Sequence, residues 1–92
     1  MNKKELIDSI ASTTGETKRT VQDVLDATLD TIEGQVKKGE RVSLPGFGTF
    51  ERRARSARTA RNPRTGEEIK VPATKVPAFK AGATFKSNVS GR

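Results

Sequence analysis

Arg52-Arg53-Ala54-Arg55-Ser56-Ala57-Arg58-Thr59-Ala60-Arg61-Asn62-Pro63-Arg64-Thr65-Gly66, with Glu68-Ile69-Lys70-Val71 just beyond it, concentrates positive charge more than any other part of this sequence. From Arg52 to Arg64 it holds six arginines in thirteen residues, spaced mostly by Ala, Ser and Thr, with no acidic residue before Glu67. Such a run forms no core, because every second or third residue carries a charge that is expensive to bury. It suits neutralisation from outside by something long and anionic. Asn62-Pro63-Arg64-Thr65-Gly66 is a turn signal, with Pro fixing φ and Gly able to take positive φ. Glu68 to Val71 then alternates as a return strand, and Pro72 and Pro77 restrict its continuation to about Phe79. The stretch reads as a long β-hairpin tipped by Pro63. Ten residues per strand reach roughly 33 Å at about 3.3 Å each, close to one turn of B-DNA. A free ribbon of this kind is marginally stable, so its tip is expected to be mobile alone and to order on binding.

The flanks supply a scaffold. Asn2 with Glu5 three residues on is a helix start, Leu6, Ile7, Ile10 and Ala11 share one face, and Gly15 is a stop. Thr17 can cap a second helix in which Val21, Val24, Leu25, Leu29, Ile32 and Val36 recur at helical spacing. Lys37-Lys38-Gly39 closes it with cations at the negative dipole end. The periodicity predicts helices over about 3–14 and 18–38, packed as a hairpin. Arg41 to Leu44 alternates as a strand with Val42 and Leu44 inward, and Pro45-Gly46 turns it. Phe47 and Phe50 then read as core anchors, since they lie beside the scaffold half. Gly82 precedes a short last helix carrying Phe85 and Val89.

Composition limits what this scaffold can do alone. Of 29 apolar residues nine are Ala, which leaves 20 larger side chains in 92 residues. That is thin against the ordering entropy of the chain. There is no Cys and no His, so disulfides and the usual structural zinc sites are excluded, and oligomerisation is the remaining device. An obligate dimer is expected, with Leu29, Ile32, Val36, Leu44, Phe47, Phe50 and Phe79 in its core. Charge is segregated: residues 1–50 carry seven Lys/Arg and eight Asp/Glu (net −1), residues 51–92 eleven and three (net +8). A basic helix with large apolar anchors would suit a membrane, and the arginine run has none. No signal peptide or membrane span is visible, so a cytosolic protein is expected. Without His, Cys or paired carboxylates near a cleft, acid–base and nucleophilic catalysis lack their groups, and no enzyme, metal or cofactor is expected.

The ribbon chemistry favours nucleic acid. Arginine dominates the outgoing strand and tolerates partial desolvation in a narrow minor groove. Lysine dominates the return, at Lys70, Lys75 and Lys80, and suits phosphate contacts. Pro63 reads either as an ordinary turn proline or as a rigid apolar wedge. An RNA-binding basic protein is the rival reading, since arginine-rich segments that fold on binding also recognise RNA.

Gly46-Phe47-Gly48-Thr49-Phe50, then Arg55, Arg58 and Ala60-Arg61-Asn62-Pro63-Arg64-Thr65-Gly66, resemble the bacterial histone-like HU and integration host factor family. The resemblance runs from Asn2-Lys3 to Phe85-Lys86. It implies an α+β fold: a helical hairpin body plus a three-stranded antiparallel sheet with a long protruding β-ribbon arm and a short C-terminal helix, as an intertwined dimer. Residues 1–92 would form one domain, divided into a body and sheet start (1–50), the arm (51–76), and the sheet end with the last helix (77–92). Pro63 would match the family's intercalating tip proline. Arg53, Arg55, Arg58 and Arg61 match arm positions that line the minor groove, and Asn62 and Arg64 flank the wedge. Lys3, Lys18, Lys75, Lys80 and Lys86 match phosphate-touching positions, joined by the Gly46 turn. Ala60 and Ala83 depart from the pattern, where many members carry Gly and a basic residue. The wording of the arm resembles the HU branch, which implies a homodimer, or a heterodimer with a paralogue. It further implies double-stranded DNA as partner, little sequence preference, a bias to bent, nicked or gapped DNA, and the bacterial nucleoid as location. A site-specific bending subunit like integration host factor is the alternative within the family.

Overall fold

The computed structural model describes residues 1–91, so Arg92, at the end of the expected 77–92 segment, lies outside the described residues. The elements run α1 (Lys3–Thr14), α2 (Lys18–Lys37), β1 (Val42–Leu44), β2 (Gly48–Arg55), β3 (Arg58–Arg61), β4 (Glu68–Val71), β5 (Thr74–Ala81) and α3 (Ala83–Ser90). The chain resolves into two compact units, Met1–Gly34 and Gln35–Arg92. No helix among the described residues is long and apolar enough to cross a membrane.

In the first unit the helix boundaries follow from caps. The Asn2 side chain accepts the Glu5 amide at 2.9 Å, and Gly15 closes α1 by donating to Ala11 O. The Thr17 hydroxyl accepts the Thr20 amide at 3.1 Å and starts α2, an N-cap worth about 1 kcal/mol. Ile7, Ala11 and Val21 form the core between the two helices, with Ile10 and Leu25 packed against it. That core is small: Val24 is 61% exposed and Leu29 44%.

The second unit is built on a three-stranded antiparallel sheet in the order β1-β2-β5. Val42 pairs with Phe50 and Leu44 with Gly48 across the first hairpin. β2 then pairs along its whole length with β5, from Gly48 opposite Ala81 to Arg55 opposite Thr74. Pro77 sits inside β5, which runs two residues past the expected end at Phe79. It is tolerated because β5 is an edge strand, where a missing amide donor leaves no neighbour unpaired. Gly82 and Phe85 tie α3 to the first turn by donating their amides to Phe47 O (2.8 Å) and Gly46 O (3.1 Å).

All four phenylalanines gather here: Phe79 lies 4.8 Å from Phe50, 5.4 Å from Phe47 and 6.1 Å from Phe85 between ring centroids. The cluster is nevertheless half wet, with Phe47 47% and Phe79 42% exposed. Leu44, expected to face inward, is also exposed in the single chain. No side chain among the described residues is fully buried.

Gly48 is what lets the Phe79 ring lie on β2. A Cβ there would stand 2.5 Å from that ring and 2.6 Å from Lys80 O, far inside contact distance. Gly48→Ala is therefore expected to cost about 1–3 kcal/mol through overpacking and to lower the melting temperature by roughly 5–20 °C. Thermal unfolding followed by circular dichroism checks this; an unchanged melting temperature would contradict it.

Candidate nucleic-acid interface

The ribbon is in two pieces. β2 and β5 pair as far as Arg55 opposite Thr74, and a separate two-stranded ladder, β3 with β4, begins at Arg58 opposite Val71. The expected continuous hairpin is thus interrupted at Ser56-Ala57 and Pro72-Ala73. Pro72 offers no amide to the ladder at that point, which is a sufficient local reason for the break.

Directly paired residues of an antiparallel ladder share a face, so the register assigns faces to the cations. Arg53 and Arg55 lie on one face of the inner ribbon with Lys80; Arg52 and Lys75 lie on the other. In the outer ribbon Arg61 and Lys70 share a face, opposite the one that carries Arg58. Arg58 has Ala60, Ile69 and Val71 beside it, and Ile69 is 47% exposed. The outer ribbon is therefore cationic on both faces and apolar on one.

The tip is held from within. Asn62 Oδ1 accepts the Arg64 amide at 2.9 Å, so its side chain closes a local turn around Pro63. The Asn62 amide donates to Glu67 O and the Gly66 amide donates to Asn62 O, both at 2.8 Å. Gly66 takes φ of 74°, a left-handed conformation that favours glycine. Pro63 and Arg64 stand exposed at the apex. Asn62 was expected to flank a wedge at Pro63; its oxygen accepts within the turn that holds Pro63.

Two residues of the run have tasks that composition conceals. Arg52 Nη1 donates to Lys37 O at 3.1 Å, which caps the last turn of α2. Arg52→Ala is expected to lower stability by about 1 kcal/mol and to leave the salt dependence of ligand binding unchanged. Denaturant unfolding and a salt titration together check it; a shallower salt slope would place Arg52 in the interface. Glu51 is only 18% exposed and holds Arg53 Nη2 at 3.2 Å and Arg41 Nε at 3.7 Å. Arg53 therefore meets any phosphate as a group already turned toward a carboxylate.

The lysines divide similarly. Lys3 is paired with Asp26, and Lys18 with Asp8 at 3.3 Å, so each would exchange one anion for another on contacting phosphate. Lys80 and Lys86 line an open cleft of about 550 Å³ with Arg41, Gly46 and Gly48. This cleft has the chemistry for an anion: three cations around a glycine turn, with Glu51 as the only carboxylate on its wall.

Comparison with known proteins agrees with this geometry. The family model described as bacterial DNA-binding protein matches residues 1–90. The DNA-binding protein HU of Geobacillus stearothermophilus is 51% identical over 89 residues, which is 97% of this chain and 99% of that one. HU 1 of Bacillus subtilis is 49% identical over 92 residues, the whole of both chains. Among solved structures, the Anabaena HU chain from an HU–DNA cocrystal superposes with a TM-score of 0.93 at 48% identity, covering all of both chains. The three helices and the antiparallel strands are those of an α+β HU fold, and the chain belongs to the HU family of bacterial DNA-binding proteins.

Proposed function

We propose that this protein is an architectural DNA-binding protein of the nucleoid, in the bacterial cytoplasm. Two copies join through their half-wet cores, and the two arms enter the minor groove of one duplex, bending it with little sequence preference. The observation that carries the reading is the arm: a register-defined ribbon, cationic on both faces, ending in an exposed proline that Asn62 holds at the apex. Relatives named DNA-binding protein HU, and the Anabaena cocrystal, support DNA as the ligand.

Dimerisation is supported by what a single chain leaves uncovered. Phe47, Phe79, Leu29 and Leu44 are each about two-fifths exposed or more. Covering the remaining surface of one such Phe is worth about 2 kcal/mol at ~25 cal/mol/Å². A second copy supplies the matching apolar face, as a two-fold interface does. Residues 1–50 and 77–92 then act as body and 51–76 as arm.

In the groove, Arg53, Arg55, Arg58 and Arg61 meet negative potential, and Lys3, Lys70, Lys75, Lys80 and Lys86 meet phosphates at the flanks, with Arg64 beside the wedge. Pro63 inserts between base pairs. Few Asn or Gln side chains project from the ribbon to read base edges, so DNA deformability sets preference. Bent, nicked or gapped sites are cheaper to kink and are favoured.

Pro63→Ala tests the wedge. It is expected to reduce bending, measured by energy transfer between the ends of a labelled duplex, far more than it reduces affinity. Equal losses in both would show that Pro63 is not the bending device.

A further inference from the structure

The break in the ribbon creates a place for covalent control of the arm. Ser56 follows Arg52-Arg53-Ala54-Arg55, which sets arginines at −1, −3 and −4. It lies between the end of β2 and the start of β3, outside both ladders, and is exposed. Among the described residues its hydroxyl has no hydrogen-bond partner. The pairing stops at Arg55 opposite Thr74 and resumes at Arg58 opposite Val71, so Ser56 and Ala57 on one side and Pro72 and Ala73 on the other carry no ladder bonds. The other hydroxyls of the arm are worse placed. Thr59 is inside β3 and paired with Lys70. Thr65 already accepts the Glu67 amide and stands beside two glutamates.

We infer that Ser56 is a phosphorylation site for an arginine-directed serine/threonine kinase, which reads the preceding arginines by charge pattern. The inference rests on the DNA-binding reading for its consequence, though not for the chemistry. Ser56 Oγ attacks the γ-phosphorus of Mg·ATP, the bond from that phosphorus to the ADP oxygen breaks, and the hydroxyl proton passes to a kinase carboxylate. Phosphoserine and ADP remain. The new group carries about −1.5 to −2 charges at neutral pH, so the +8 of residues 51–92 (eleven cations less three anions) falls to about +6. The phosphate is added one residue after Arg55 and two before Arg58, close enough in the chain for their guanidinium groups to pair with it instead of with DNA. Phosphorylation thus disarms the minor-groove strand and leaves the fold intact, because Ser56 belongs to no ladder. Bound DNA covers the arm, so the kinase acts on free arms.

The test incubates the full chain with an arginine-directed kinase and Mg·ATP, and maps phosphate by mass spectrometry. The wild type and Thr59→Ala are expected to carry it on Ser56, and Ser56→Ala to carry none in the arm. Phosphate mainly on Thr59 or Thr65, or no transfer at all, would overturn the proposal. Excess duplex DNA added first is expected to suppress transfer to Ser56; undiminished transfer would contradict a site on the DNA-contacting arm. The purified phosphoprotein is expected to bind duplex DNA at least about tenfold more weakly at moderate salt, with a log–log salt slope shallower by about 1–2. Equal affinity would remove the regulatory role. The mapping without DNA does not depend on DNA binding, and a flat salt response of the unmodified protein would instead mark failure of the DNA reading.

Discussion

Raising salt from about 50 to 200 mM is expected to weaken binding to duplex DNA by roughly 10³–10⁵-fold, the loss that accompanies release of counterions from six to ten phosphates. The reason lies in where the charges are. Residues 51–92 hold eleven of the eighteen cations and three of the eleven anions, and eight of those cations lie in the paired strands of the ribbon, on both of its faces. Arg52 is outside this set because it caps α2, and Lys3 and Lys18 contribute only after leaving Asp26 and Asp8. Replacing Arg58 or Arg61 by Ala should therefore make the slope shallower by about one each. The check is a titration at four or more salt concentrations. A slope near zero would mean that arm charge does not set affinity.

Phe47→Asp is expected to abolish the fold and not merely dimerisation. The Phe47 ring lies 5.0 Å from Phe85 and 5.4 Å from Phe79, so its removal breaks the aromatic cluster that joins the sheet to α3. Losing the ring costs about 3–5 kcal/mol, and an unpaired carboxylate at a dimer core adds several more. A domain of this size has about 5–15 kcal/mol in total. Since no side chain among the described residues is fully buried in one chain, a monomer has little core to fall back on. Circular dichroism should show loss of helix and of the cooperative transition. A folded monomer by sedimentation would show that the core is not shared.

Much of this was legible in the sequence because it is local. Asn2 caps α1, Gly15 ends it, Thr17 starts α2, and Gly66 takes positive φ, each set by residues three or four positions apart. The alternation from Glu68 marked where the return strand starts, but not its break after Val71, since one strand to about Phe79 was expected. What was hidden depends on cross-strand register. The pairing gap at Ser56 also involves Pro72 and Ala73, which no reading of Ser56 itself contains. Which residues of the return strand join Arg58 and Arg61 on their faces depends on the same register. Arg52 is no different in type from its neighbours, and its partner, Lys37 O, lies fifteen residues back in the chain. Glu51, the carboxylate that turns Arg53 and Arg41 aside, carried no signal in a run read for its cations. Asn62 was legible as part of a turn, yet the bond from the Arg64 amide that makes it the support of Pro63 is three-dimensional.

Arg-lined arms are expected to bend duplex DNA at sites chosen by deformability. Competition among three duplexes of one sequence, intact DNA, the same DNA with a single nick, and the corresponding RNA, tests it most directly at one moderate salt concentration. Nicked DNA is expected to win, intact DNA to follow, and the RNA duplex to compete poorly, because its wide, shallow A-form minor groove lacks the narrow-groove potential that the arginines meet in DNA. RNA binding as tightly as nicked DNA, or equal affinity for nicked and intact DNA, would contradict it.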